Sequence, residues 1–301
     1  MKTVHRSLLK AAVLTVCLVL AFSVVSCGKQ DAPSGQSEQN TIPTVESLDF
    51  TPIESDVQTA AQPETAPPPE TETAATTDSE PAAPPTEGGI APLALMYHLI
   101  LDEPYSALES LFVRPSELRG HIEALLEKGY TFIFADEYGA YDTKTVIMSF
   151  DDGYLDNYTE MFPIIKEYNV KVTVFMISDY INGGEYLSED MIKEMSASGL
   201  VSFQSHTASH PSLATLGADA LRNEFSTSNS VIEALTGRPV KAICYPSGQY
   251  NDLTLSVASE YYSFGYTTFS TNSTAGYPYL ELPRLRVNRG YSKDYFASLI
   301  N

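Results

Sequence analysis

Val146-Ile147-Met148-Ser149-Phe150-Asp151-Asp152-Gly153-Tyr154 joins an apolar, strand-forming run to a turn, and residues 155–168 beyond it carry the apolar spacing of a helix. The same alternation of strand and helix runs outward from there, from Ile90 to the end of the chain. Strands are predicted at 93–97, 131–134, 146–150, 170–176, 200–204, 241–245, 265–270 and 282–287. Helices are predicted at 115–128, 155–168, 189–198, 214–236 and 251–260. Gly129 and Gly199 follow the first and third of these helices in the position that favours a left-handed residue, and Ser188 stands at the N-cap of the third. No internal repeat is present. Such a pattern predicts an α/β fold with helices packed around a parallel sheet or barrel. In that architecture chemistry gathers at the C-terminal ends of the strands.

Two strand ends carry reactive residues. The first is Asp151-Asp152-Gly153. Adjacent carboxylates followed by a glycine that permits a sharp turn can point in different directions, so that one binds a metal while the other handles a proton. Taken alone, Asp-Asp-Gly is usually just a turn. The second is Ser205-His206-Thr207-Ala208-Ser209-His210-Pro211. Histidines at i and i+4 share one face of a helical turn, with Cβ atoms about 5–6 Å apart, close enough for both imidazoles to reach one ion. The histidines beyond residue 90 are His98, His121, His206 and His210, which makes the pairing informative. With one carboxylate it gives a two-His, one-Asp set that leaves coordination positions open, the arrangement of a catalytic rather than a structural metal. Structural zinc would want four protein ligands, and Cys244 stands alone in this region.

Together these motifs resemble the polysaccharide deacetylases of carbohydrate esterase family 4, the NodB-homology domain, over about residues 92–300. The resemblance implies a distorted, incomplete (β/α) barrel of about seven to eight strands. It implies Asp151 as the catalytic base and Asp152, His206 and His210 as ligands of one divalent ion, zinc first, with cobalt, nickel or iron also suited. Ile243-Cys244-Tyr245-Pro246-Ser247-Gly248 falls where the family commonly has Phe-Arg-Pro-Pro-Tyr-Gly. Ser247 is then the residue whose backbone N–H helps hold the oxyanion, a task that does not need the tyrosine side chain. The arginine that steadies the base is replaced by Cys244. Arg284 and Arg286 lie on one face of a strand by the period-2 rule, so either can substitute, or both can be surface charges. Cys244 reads as a small buried strand residue, since no histidine or cation is near it in sequence.

The family's late Leu-x-His, its usual general acid, is absent, as is its Asp-Trp pair. His121 falls within the first amphipathic helix, where packing is the expected role. His98 closes the first strand at its C-terminal end, and in a barrel the first strand neighbours the last. His98 is therefore expected to act as the general acid, with a pKa near the ordinary value of about 6.5 suited to donation at neutral pH. Met96-Tyr97-His98 also resembles the opening of poly-N-acetylglucosamine deacetylases.

The chain has 301 residues, with 18 Lys and Arg against 38 Asp and Glu, a net charge of −20. That charge repels phosphate backbones and excludes nucleic acid as a partner. Residues 1–26 combine Lys2, Arg6 and Lys10 with an uncharged apolar run, the pattern of an export signal. The run ends in Val24-Val25-Ser26-Cys27-Gly28, which resembles a bacterial lipobox, with Cys27 as the lipidated residue. Residues 27–89 are rich in Pro, Thr and Glu and read as a disordered tether spanning on the order of 45 Å. The folded domain is 90–301. The chain is expected to be a monomeric lipoprotein at the outer face of the bacterial membrane. Its expected activity is metal-dependent removal of N-acetyl groups from N-acetylglucosamine residues of an extracellular or cell-wall polysaccharide, poly-N-acetylglucosamine or peptidoglycan. An O-acetyl xylan esterase and a catalytically weak glycan-binding lipoprotein are the alternatives.

Overall fold

The computed structural model describes residues 89–103 and 111–300. The expected signal, Cys27 and all but the last residue of the tether lie outside the described residues. The strands in chain order are β1 (Leu93–Tyr97), β2 (Leu99–Ile100), β3 (Phe112–Val113), β4 (Thr131–Ile133), β5 (Thr145–Asp152), β6 (Val172–Met176), β7 (Val201–Ser205), β8 (Ala242–Cys244), β9 (Phe264–Tyr266) and β10 (Leu285–Arg286). The helices are α1 (Pro115–Glu127), α2 (Phe162–Tyr168), α3 (Glu189–Ala197), α4 (Ala218–Thr236), α5 (Asp252–Ala258) and α6 (Lys293–Leu299). The main sheet runs β10-β1-β5-β6-β7-β8-β9, with β4 also paired to β5, while β2 and β3 form a separate parallel ladder. Every pairing in the main sheet is parallel. One short segment spans the open side of the curl. Leu282 bridges Tyr266, the last residue of β9, and Leu285 and Arg286 pair with Leu95 and Met96 of β1. The result is an incomplete (β/α) barrel in which the first strand neighbours the last.

Strand alternation sorts the side chains into two layers. Leu93, Leu95 and Tyr97 of β1, Val146, Met148 and Phe150 of β5, and Val172, Val174 and Met176 of β6 pack outward, in one cluster with Leu118 and Ile122 of α1 and Phe225 of α4. Each such side chain fully removed from water contributes about 1.5–3 kcal/mol. The opposite faces fill the barrel: Ala94, Ile147, Phe175, Ala242, Cys244, Tyr266 and Leu282 form the inner cluster. By the same period Ser149 and Asp151 share the inner face with Ile147. The helices start and stop where local chemistry directs. Pro115 opens α1, the Ser188 hydroxyl accepts from the Met191 amide at 3.3 Å to cap α3, and Gly237 ends α4 at φ 66°. Among the described residues no helix is long and apolar enough to cross a membrane.

Three expected elements take different shapes. The strand expected at 282–287 shrinks to Leu285–Arg286, because Pro283 has no N–H to give to a ladder. The helix expected from 155 begins with a π-turn, Asn157–Met161, and becomes α-helical only at Phe162. The strand expected at 265–270 ends at Tyr266. Helix α6 and the β2–β3 ladder were not expected.

Candidate active site

Asp151 and Asp152 are the last two residues of β5. Asp151 keeps the inward direction that alternation assigns it, whereas Asp152 leaves the pattern through a left-handed backbone, φ 73°, followed by Gly153 at 78°. Glycine suits position 153 because φ 78° strains any residue with a Cβ, which would also meet the Met176 sulfur at 2.2 Å. The two carboxylates thus face different partners from one strand end.

His206 and His210 do not sit on a helical turn. The segment after β7 is a loop with left-handed residues at Thr207, φ 69°, and His210, φ 60°. A β-branched residue rarely adopts that conformation, so the loop is held by outside contacts. Thr207 N–H donates to Ser205 Oγ at 3.1 Å, and His210 N–H donates to Thr207 Oγ1 at 3.0 Å. Glu224 of α4 accepts from the amides of Ala208 and Ser209, each at 2.9 Å, and from Ser209 Oγ at 2.7 Å. The rings end edge to face with centroids 4.8 Å apart. Polar hydrogen bonds, not helix geometry, bring the pair together.

The three expected ligands converge. His206 Nε2 lies 3.3 Å and His210 Nε2 3.7 Å from Asp152 Oδ1, and one donor atom from each residue lies within 4.8 Å of the others. His206 Nδ1 is 2.8 Å from the Cys244 carbonyl. That contact keeps a proton on Nδ1 and points Nε2 at Asp152; although burial opposes it, the surrounding acceptors raise the His206 pKa, so Nε2 is the atom that would ligate an ion on losing its proton. Burial opposes ionisation of Asp152, but His206 outweighs it and lowers the Asp152 pKa. Burial, aided by the charge of His206, lowers the pKa of His210. Two imidazoles and one carboxylate with a cavity in front of them fit a divalent ion with open coordination positions.

Asp151 is buried and gripped by Arg284, Nη1 to Oδ1 at 2.7 Å and Nη2 to Oδ2 at 2.8 Å. Arg284 is 0% exposed. Its other donors meet Ser149 Oγ at 2.8 Å, the Thr267 carbonyl at 3.2 Å, Cys244 Sγ at 2.9 Å and Met96 Sδ at 3.3 Å. Burial alone would push the Asp151 pKa up, and the guanidinium overrides it, holding the carboxylate well below its usual range. Of the two candidate arginines, Arg284 reaches Asp151, while Arg286 lines the cavity wall. Cys244 is buried as expected and burial pushes its thiol pKa up. A cation does lie beside it, Arg284 from the segment just before β10, although none is near in sequence.

His98 follows β1, with Nε2 3.9 Å from Asp151 Oδ2. Burial lowers its pKa below the ordinary value, against the upward pull of Asp151 and Asp152, so the expectation of an unshifted imidazole is corrected. His121 is a packing residue, fully buried against Phe296 with Nε2 2.7 Å from the Tyr291 carbonyl. Ser247 lies in the loop after β8 with φ 53°, another left-handed residue at the site. His98, Asp151, Asp152, His206, His210, Ser247 and Arg286 line one cavity of about 410 Å³. Leu111, Tyr154, Tyr245 and Thr268 also line it and were not singled out from sequence. Ser149 had a legible signal, a polar residue two positions before Asp151 on the inner face. Glu224 had none.

A family model for polysaccharide deacetylase matches residues 138–268. The protein YxkH of Bacillus subtilis (strain 168) is 33% identical over 214 residues, covering 68% of this chain and 75% of YxkH. The structure of the Streptococcus pyogenes deacetylase PplD in complex with acetate superposes with a TM-score of 0.65 at 28% identity, covering 71% of this chain and 99% of that one. The poly-β-1,6-N-acetyl-D-glucosamine N-deacetylase of Staphylococcus epidermidis is 25% identical over 183 residues, 56% of this chain and 62% of that protein. Since the matched region runs through both motif loops and YxkH aligns over three quarters of its own length, this chain belongs to the polysaccharide deacetylase family.

Proposed function

We propose that the chain is a divalent-metal-dependent hydrolase that removes N-acetyl groups from N-acetylglucosamine units of an extracellular or cell-wall polysaccharide and releases acetate. The observation that carries this reading is the meeting, in one cavity, of the Asp152–His206–His210 set with an arginine-held Asp151 and with His98. Asp152, His206 and His210 would hold the ion, and zinc is the ion proposed. When bound, such an ion polarises the acetamide carbonyl and acidifies water.

The chain's own residues do the rest. Asp151, kept ionised and aimed by Arg284, accepts a proton from the attacking water. The same grip makes Asp151 a weak base, so it serves only for water that is already acidified. The Ser247 N–H donates to the carbonyl oxygen as negative charge grows there. His98 gives a proton to the nitrogen as the C–N bond breaks and takes one back from solvent, to which Asp151 returns the proton it accepted. Acetate and a free amine leave.

Tyr154 at the cavity lip stacks on Tyr186 with centroids 5.1 Å apart and planes at 19°, and Tyr186 meets Tyr180 at 4.8 Å. This row of aromatic rings offers amphipathic surface to a pyranose chain. It supports a glycan substrate, and the resemblance of Met96-Tyr97-His98 favours poly-N-acetylglucosamine over peptidoglycan. Arg284 holds Asp151 where Cys244 cannot, which counts against a binding-only protein. We further propose a signal at 1–26, lipidation at Cys27 and a tether at 27–89, anchoring the 90–301 domain as a monomer at the outer face of the bacterial membrane.

Acetate release from N-acetylglucosamine oligomers, purified peptidoglycan and acetylated xylan tests the reading, with bound metal measured in parallel. The N-acetylated substrates are expected to turn over, and Asp151→Asn is expected to lose about 10²-fold or more in kcat with its metal retained. Wild-type acetate release by Asp151→Asn overturns the assignment, and release from xylan alone makes the chain an O-acetyl esterase.

A further inference from the structure

His98 Nε2 is 3.9 Å from Asp151, too far for a hydrogen bond, so the aim of the imidazole depends on the backbone that carries it. Two residues grip that backbone. Asn157 Nδ2 donates to the His98 carbonyl at 3.1 Å and to Asp156 Oδ1, also at 3.1 Å. Asp156 Oδ1 in turn accepts from the Ile100 amide at 2.7 Å. Asn157 is 0% exposed and Asp156 6%. Asn157 opens the π-turn that follows Asp151-Asp152-Gly153-Tyr154, and π-turns within helices recur at functional sites. One buried polar unit thus ties the loop bearing the two aspartates to the loop bearing His98.

The unit is expensive. Asn157 Oδ1 is buried without a hydrogen-bond partner, and such an atom costs about 1–3 kcal/mol. Asp156 is a buried carboxyl, its pKa pushed up to about 6 by burial. An apolar pair of the same shape would hold the two loops at lower cost, but it would leave the His98 carbonyl and the Ile100 amide without partners and free to shift.

We propose that Asn157, backed by Asp156, is a positioning residue for His98: it sets where the imidazole stands over the scissile amide and acts on catalysis only through that side chain. The inference rests on the reading of His98 as the proton donor to the leaving amine. A leaving amine needs that proton, whereas an activated phenolate leaves without one. Loss of His98 alignment therefore slows amide hydrolysis selectively.

The test compares wild type, His98→Ala, Asn157→Ala, Asn157→Leu and the His98→Ala/Asn157→Ala double variant. The substrates are an N-acetylglucosamine oligomer and 4-nitrophenyl acetate, with metal content and Tm measured throughout. Asn157→Leu is close to isosteric and keeps the test available if the alanine cavity unfolds the chain. The expected result is an amide-to-ester turnover ratio about 10-fold lower in each folded Asn157 variant, with the loss in kcat and not in KM. In the double variant the ratio equals that of His98→Ala, because Asn157 has nothing left to position. If amide and ester turnover fall together, or if the Asn157 change slows the His98→Ala background by the same factor, Asn157 is general support and the inference is overturned. A slow His98→Ala with an unaffected Asn157→Ala overturns the inference alone. Wild-type amide turnover by His98→Ala removes the acid assignment as well.

Discussion

Arg284 carries a full positive charge with no exposed surface, and the fold tolerates it because Asp151 lies against it with two matched hydrogen bonds. Breaking such a pair from one side strands the other charge, which costs about 3–5 kcal/mol. Arg284→Met is therefore expected to lose stability on that scale and to lower kcat about 10²-fold, because Asp151 is left unaimed. Arg286→Met, at the cavity wall, is expected to stay within about 0.5 kcal/mol of wild type. Urea unfolding and acetate release check both, and equal losses in the two variants refute the assignment of the tether. The pH sign follows from the depressed Asp151 pKa: the pair's contribution is complete above the unfolded carboxylate value and is lost as pH falls through the folded one. Both arginines were legible as candidates from their period-2 spacing. Which of them reaches inward was not, because Pro283 interrupts the strand and leaves Arg284 outside the ladder, free to send its side chain across the barrel to Asp151.

Between β7 and α4 the histidine loop shows how an element can be foreseen for the wrong reason. Spacing i to i+4 brings two side chains together on a helix, and the chain achieves the same juxtaposition with two left-handed residues and a carboxylate borrowed from α4. The grouping of Asp152, His206 and His210 was readable because it depends on residue type and count. The loop that presents it was not, because Glu224 is distant in sequence and carries no local signal. Glu224→Ala frees the Ala208 and Ser209 amides and is expected to weaken zinc affinity about 10–100-fold, as loss of a residue that orients ligands does. Titration against a competing chelator measures this, and α4 is expected to keep its helicity by circular dichroism. Unchanged affinity would show that the loop holds its shape without Glu224.

Taken whole, the molecule presents its strand ends as predicted, since parallel strands, buried runs and helix stops all leave periodic marks in the sequence. Deleting residues 30–88 is expected to leave Tm and acetate release from soluble oligomers unchanged, and Cys27→Ser is expected to free the protein from membranes. A large loss of activity on deletion, or continued tight membrane association of Cys27→Ser, would refute the proposed organisation. The segment that spans the open side of the barrel has a consequence in time. Arg284 lies 133 residues after Asp151 and 188 after Met96, yet touches both. A nascent chain leaving the ribosome displays its aspartates and histidines long before it displays Arg284. Until the segment that bears it docks, Asp151 lacks the guanidinium that aims it. A chain cut short before Arg284 is therefore expected to hold its carboxylate unaimed and to fall in turnover at least as far as Arg284→Met.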